Sequence, residues 1–167
     1  MQSFYGIADT GVTLDRADLH QNTITTTGAT RSVTEAQAAG ELDWESDDVH
    51  GWYVDFPARE RISTKPMLLF DRLIFPTVVP TDSACEFGGR SWIMELTGVG
   101  DLYPGHSILE NQGTQIETLV SLSDLILGAD ARGQGTIIAQ QSDGELMPIP
   151  ASAPSGAFGR QSWRQIQ

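Results

Sequence analysis

Basic residues are scarce in this chain. Its 167 residues contain 10 Lys and Arg against 22 Asp and Glu, which gives a formal net charge of −12 at pH 7 and a sequence pI near 4.4. A surface of that charge opposes approach to nucleic-acid phosphates and to anionic membrane surfaces. The composition therefore predicts no nucleic-acid partner.

Long apolar runs are also missing. No stretch of 18 or more apolar residues occurs, so the sequence predicts no membrane-spanning segment. The first residues, Met1-Gln2-Ser3-Phe4, contain neither a basic region nor an apolar signal core, so no secretory signal is visible.

Cysteine is represented once, by Cys85, which excludes a disulfide within the chain. Two readings of this residue remain. It is either a small buried hydrophobe or loop residue, or the partner of a cysteine that lies outside this sequence.

Sequence motifs for catalysis, nucleotide binding and transition metals are absent. No Walker lysine motif and no Gly-x-Ser-x-Gly occurs, and Gly98-Val99-Gly100 lacks the third glycine of a dinucleotide fingerprint. The three histidines have no metal-binding partner at helical spacing: His20, His50 and His106. The 22 acidic residues leave chance carboxylate pairs open, but nothing singles one out, so we assign no catalytic, cofactor-binding or metal-ligating residue.

One acidic segment, residues 41–48, places carboxylates at alternate positions 43, 45 and 47, as calcium loops do. The calcium-loop template nevertheless fails, because Asp48 stands where glycine is needed and Val54 where glutamate is needed. The segment is interpreted as a solvated acidic loop, and no tight calcium site is predicted.

Turn-forming residues are plentiful, with 17 Gly and 8 Pro, and this favours an all-β chain. Residues 51–56 alternate so that Trp52, Val54 and Phe56 share one face of a strand and Tyr53 and Asp55 the other. Further strands are predicted at residues 3–8, 91–96, 118–126, 135–140 and 145–149.

A β-hairpin is predicted from two apolar runs, 67–70 and 73–75, joined by Asp71-Arg72. Pro76 removes a backbone donor, so the second strand should be an edge strand, bulge there or end. Residues 76–90 and 103–117 are interpreted as exposed loops that carry any binding surface, and shortening 104–115 is expected to leave the melting temperature nearly unchanged. Residues 151–159 read as a small-residue linker before a terminal strand, 160–167.

Tryptophan follows Gly or Ser at Trp52, Trp92 and Trp163, near the start of presumed strands. One interpretation is a carbohydrate- or protein-contacting aromatic surface. The favoured interpretation is that these side chains wedge between sheets in the core.

The order of these segments resembles the C-terminal β-propeller of the PilC/PilY family, the large adhesins at the tip of bacterial type IV pili. The matching pieces are a Gln-Ser-Phe-Tyr-Gly-Ile start, GWY-x-D at 51–55, an E-R pair at 60–61, a proline-bounded cysteine loop, FGG-x-SW-x-x-EL at 87–96 and a terminal GRQSWRQ. The family carries an Asp-rich calcium loop, but no segment of this chain matches it, so no calcium ligand is carried over.

The resemblance implies a single unit, residues 1–167, that forms a partial, quinoprotein-like β-propeller of about three to four blades built from short antiparallel strands. It further implies a non-enzymatic, cell-surface or fimbrial, outer membrane-associated protein that acts in pilus biogenesis, retraction, twitching motility and adhesion. Its partners would be the minor pilins at the pilus tip and host or abiotic surface receptors. Met1 is then a truncation start, and the export signal lies outside this chain.

Two alternatives stay open at this point: a fragment of a quinoprotein-like propeller oxidoreductase, and a stand-alone β binding domain. At roughly 40–50 residues a blade, 167 residues are too few for a closed ring of the family's usual size. We therefore expect an unpaired strand edge, an uncovered apolar face bearing Leu69, Ile74, Phe75 and Ile93, and self-association.

Overall fold

The computed structural model describes residues 2–9, 11–34, 50–62, 64–69, 72–81, 88–97, 107–118, 120–122 and 134–152. Across these ranges the chain is all-β, with one short 3₁₀ turn at Arg16–Asp18. The strands are β1 (Ser3–Ile7), β2 (His20–Thr27), β3 (Thr30–Thr34), β4 (Gly51–Asp55), β5 (Arg61–Ile62), β6 (Met67–Leu69), β7 (Arg72–Pro80), β8 (Gly89–Thr97), β9 (Gly113–Ile116), β10 (Val120–Leu122), β11 (Gln134–Gln141) and β12 (Leu146–Ser152).

Nine of these strands form one strongly curled, half-barrel sheet in the order β1-β4-β2-β3-β9-β8-β7-β5, with β6 also paired to β7. The sheet is mixed, because β2 and β4 run parallel and the other neighbours run antiparallel. A second, antiparallel sheet has the order β10-β11-β12.

The curl of the large sheet follows from contacts between its distant strands. Six strand spacings separate β1 from β7, which is about 29 Å in a flat sheet. The ring centroids of Phe4 in β1 and Phe75 in β7 are nevertheless only 5.0 Å apart. Strand β1 therefore lies over β7, and the two enclose an apolar interior.

Strands β7 and β8 are buried on both faces. The inner core, inside the curled sheet, consists of Val33, Trp52, Val54, Phe56, Phe75, Trp92, Met94 and Leu96. The outer core joins the large sheet to the small one and consists of Ile74, Ile93, Ile108, Leu109, Ile137, Ala139 and Ala151. Alternation along β8 sends Trp92 and Met94 to the inner core and Ile93 to the outer core.

Trp52 fixes the pairing of β1 with β4. It lies opposite Gly6 in the ladder, and its indole ring occupies the space that a Cβ atom on Gly6 would need. A larger residue at position 6 would therefore displace the indole from the inner core.

The all-β class is confirmed, and the curled sheet is consistent with a partial propeller-like fold. The predicted alternation of residues 51–56 is confirmed as well, because Trp52, Val54 and Phe56 are buried while Tyr53 and Asp55 are half-buried.

The hairpin prediction is right in its strands but shifted in its turn. Leu69 pairs with Arg72, so Arg72 belongs to β7 and not to the connection. Pro76 does not end that strand. It lies opposite Ile93 of β8. On the other side of β7, strand β6 pairs before Pro76 and strand β5 pairs after it, so the missing N–H falls in the gap between them, where it costs the sheet least.

The predicted exposed loops are wrong where the structure describes them. Residues 76–80 continue β7, residues 89–90 begin β8, and residues 113–116 form β9. Ile108 and Leu109 are buried in the outer core, so shortening residues 104–115 should destabilise the fold. These segments were misread because Pro, Gly and polar residues in them pair with neighbouring strands.

The expected uncovered apolar face is also wrong. Ile74, Phe75 and Ile93 are fully buried and Leu69 is half-buried, because the small sheet and the curl of the large one cover them. Strand β12 extends through Ala151 and Ser152. The remainder of the expected linker and the predicted strand 160–167 lie outside the described residues.

Replacing Trp52 or Trp92 by alanine should lower the free energy of unfolding by about 3–5 kcal/mol, because each leaves a large cavity in the inner core. Denaturant-induced unfolding measures the change. Leu68→Ala is the control, since a leucine that is 60% exposed should change stability by only about 0.5 kcal/mol. Tryptophan variants that unfold like the wild type would contradict their place in the core.

Candidate functional site

The polar side of β4 and its neighbours carries a cluster of aromatic and charged side chains. In the β1–β4 ladder Tyr5 lies opposite Tyr53 and Ser3 opposite Asp55, so all four side chains share one face. We call this surface the tyrosine face; it consists of Ser3, Tyr5, Arg16, Gln21, Tyr53 and Asp55.

Arg16 is placed on the tyrosine face by the 3₁₀ turn. Asp15 caps that turn by accepting a hydrogen bond from the Ala17 N–H (2.7 Å), and Asp18 accepts one from the Asp15 N–H (2.7 Å). The guanidinium then reaches Asp55, with Nη2 at 2.6 Å from Oδ1 and 2.5 Å from Oδ2.

Ser3, Tyr5 and Tyr53 make further contacts with this ion pair. The Ser3 hydroxyl donates to Asp55 Oδ1 at 2.5 Å, and Arg16 Nη1 donates to the Tyr5 hydroxyl at 3.3 Å. The Arg16 guanidinium also stacks on Tyr53, 3.9 Å from the ring centroid. The result is a preorganised layer in which both tyrosines contact the Arg16 guanidinium.

The electrostatics of the tyrosine face favour the charged forms of both partners. The hydrogen bond from Ser3, followed by that from Arg16, lowers the pKa of Asp55 below its ordinary value of 3.8. The hydrogen bond to Asp55 is in turn the main reason that the pKa of Arg16 is raised. Both groups therefore stay ionised across the physiological range.

A buried ion pair crosses the interior of the half-barrel. Arg31 in β3 and Glu60 in the turn before β5 are joined by two hydrogen bonds of 2.6 and 2.7 Å. Glu60 also accepts from the Thr77 hydroxyl at 2.5 Å, and the Arg31 guanidinium lies 3.8 Å from the Trp92 ring centroid. This pair is fully satisfied by protein groups and is structural.

A second buried carboxylate, Glu95, faces the outer core. It accepts hydrogen bonds from the backbone N–H groups of Ile108 (2.9 Å) and Leu109 (2.7 Å) and from the Ser107 hydroxyl (3.2 Å). Arg72 Nε lies 3.7 Å away. Glu95 therefore fastens residues 107–109 to the sheet, and its acceptor positions are occupied.

A small groove lies between the two sheets, with a volume of about 160 Å³. Its walls are mostly apolar: Ile93, Leu109, Glu110, Asn111, Thr114, Ile116, Ile149 and Pro150. Cofactor pockets usually span roughly 300–1,000 Å³, so this groove is smaller than that usual range.

The residues that the sequence analysis singled out do not come together in one site among the described residues. Trp52 and Trp92 are buried, which confirms the core interpretation for these two. His50 precedes β4, where its carbonyl accepts from the Ala8 N–H, and His20 begins β2. The acidic segment 41–48, Cys85, His106 and Trp163 lie outside the described residues.

The tyrosine face and the two buried carboxylate clusters were missed in the sequence. The alternation that places Tyr53 and Asp55 together was visible, but Arg16 and Arg31 occur in Thr- and Asp-rich segments without any motif. Among the residues whose placement is described, no group of three or more His, Cys, Asp or Glu side chains forms a metal-binding cluster. No helix in those same ranges is long and apolar enough to cross a membrane.

Asp55 should make the stability of the protein depend on pH in the acidic range. Because its folded-state pKa is lowered, its contribution is present above the unfolded-state value of about 3.8 and is lost as the pH falls through the lower folded-state pKa. Thermal melts at a series of pH values should show a shallower loss of stability for Asp55→Asn than for the wild type below about pH 4. Identical acid profiles would contradict the interaction.

A scan against protein-family models found no match, and neither did searches among curated proteins and solved structures. The functional inference therefore rests on the pattern of the sequence and on the side-chain geometry given above.

Proposed function

We propose that this chain is a non-enzymatic segment of a type IV pilus tip-associated adhesin of the PilC/PilY kind. On this proposal it acts at the cell surface or fimbrium and contributes to pilus assembly, retraction and adhesion. Its partners are the minor pilins at the pilus tip and host or abiotic surfaces.

The proposal rests on one observation: segments that resemble the family pack against one another in the inner core. The GWY-x-D segment supplies Trp52 to the inner core, and the SW-x-x-EL segment supplies Trp92 to the same core. Glu60 of the E-R pair binds Arg31, whose guanidinium stacks on Trp92. Three of the matching pieces thus contribute to one packed core, which supports the idea of an inherited fold signature.

The chemistry of the tyrosine face supports a binding role. Tyr and Arg are the residue types enriched where proteins bind one another. Tyr5 is 41% exposed, and the Arg16–Asp55 pair holds both tyrosines in place before any partner arrives. Such a surface loses little conformational entropy on binding.

Removal of residues 2–152 from the encoded protein in its own organism tests the proposal. We expect fewer surface pili in the sheared fraction, reduced twitching and weaker attachment to glass and to epithelial cells. Immunoblotting must show that the shortened protein is still made and exported. Unchanged piliation and attachment in such a strain would refute the proposal.

A point variant separates the binding role from a role in assembly. Arg16→Ala removes the guanidinium that stacks on half-buried Tyr53, so attachment should fall while pilus number stays near wild type. The melting temperature should fall only slightly, because the Arg16–Asp55 pair is partly exposed. Leu146→Ser, at a leucine that is 61% exposed on the small sheet, is the matched control and should change none of these. If Arg16→Ala attaches like the control, the tyrosine face is not the adhesive surface.

A further inference from the structure

The strands at the sheet edges differ in how they are protected. Unpaired edges invite further strands, and proteins block them with proline, charge or shortness. Strands β5 and β6, at one end of the large sheet, are only two and three residues long. In strand β12 of the small sheet, the nitrogen atoms of Pro148 and Pro150 lie on the outer edge, where the Ser152 N–H donates to the Ile108 carbonyl. Proline has no N–H to offer a further strand, so this edge is protected.

Strand β1 has none of these protections. The Ala8 N–H donates to the His50 carbonyl and the Phe56 N–H donates to the Gln2 carbonyl, so the backbone groups of the even-numbered residues of β1 face β4. The N–H and C=O groups of Ser3, Tyr5 and Ile7 consequently point away from it. Within the described part of the chain, no group bonds to these backbone atoms. The strand contains neither proline nor a charged residue.

An apolar surface lies next to this open edge. Strand β1 sits over β7, and β6 flanks β7 on its outer side, so a strand added to β1 would lie over β6. Leu68 of β6 pairs with Leu73, which packs against the inner core, and the two side chains share that inner face. Leu68 is nevertheless 60% exposed, because none of the described strands covers it. In the part of the chain that the structure describes, β1 therefore has no second hydrogen-bonding neighbour, and Leu68 beside it has no cover.

The shape of the sheet selects a single strand as the occupant. Antiparallel pairing of β1 with β1 of a second copy would bring the β6–β7 layers of both copies into the same space beneath the new pair. An isolated extended segment meets no such obstacle. The net charge of −12 disfavours an acidic segment and favours an uncharged or basic one.

We propose that β1 accepts one extended strand of another polypeptide, added edge to edge. The strand carries apolar side chains at alternate positions, directed over Leu68, and uncharged or basic side chains on its solvent side. Its backbone pairs with Ser3, Tyr5 and Ile7, as in other cases of strand addition. This inference does not depend on the pilus assignment.

The probe is a seven-residue N-acetylated peptide in which three valines alternate with two threonines between terminal lysines. Calorimetry should show saturable binding to the full chain. Peptide should also slow hydrogen exchange at the amides of Ser3, Tyr5 and Ile7. The same peptide N-methylated at its five central amides cannot form the ladder and should not bind.

Two substitutions in the protein, Ile7→Pro and Leu68→Ser, test the same site. Ile7→Pro removes one outward donor and leaves the bonds to β4 in place, so it should weaken peptide binding about tenfold. Leu68→Ser removes the apolar contact and should also weaken binding, whereas Leu146→Ser, which removes an equally exposed leucine elsewhere, should not. Melting curves confirm that each variant is folded.

Three results would overturn the proposal. The first is the absence of binding at millimolar peptide. The second is binding that Ile7→Pro, Leu68→Ser and N-methylation all leave unchanged, which would place the peptide elsewhere. The third is a dimer of the chain alone in which the Ser3, Tyr5 and Ile7 amides are already protected, since a second copy would then fill the edge.

Discussion

The fold depends on the ion pair between Arg31 and Glu60 inside the half-barrel. Arg31 lies on β3, in the middle of the curled sheet, and Glu60 comes from the turn before β5, at its far end. Their contact ties the two regions together across the interior, and Trp92 and Thr77 complete the cluster. Two buried charges are tolerated only when every polar atom is satisfied, so this cluster restricts how the sheet can curl.

The packing around Arg31 also constrains strand β9. Gly113 on β9 lies opposite Arg31, and a Cβ atom there would come within 2.6 Å of the arginine Cβ atom. On the other face of β8, Glu95 holds residues 107–109 through two backbone amides. Strand β8 thus carries the inner and the outer core at once. The tyrosine face and the open edge of β1 are positioned by this central framework but do not contribute to it.

The sequence predicted those features that depend on local alternation. The two faces of β4, the strand nature of β8 and β12 and the burial of Trp52 could all be read from periodicity and residue type. Long-range polar partners could not, because Arg31 and Glu60 are 29 residues apart and no spacing rule connects them. The misread segment 107–116 shows the same limit, since Ile108 is held by a carboxylate that is distant in sequence.

A double-mutant cycle on Arg31 and Glu60 tests this account most directly. Arg31→Met and Glu60→Leu should each destabilise by about 3–5 kcal/mol, because each leaves the other charge buried and unpaired. The double variant should lose clearly less than the sum, with a coupling energy of at least about 2 kcal/mol from denaturant unfolding. A coupling energy near zero would show that the pair does not hold the half-barrel together.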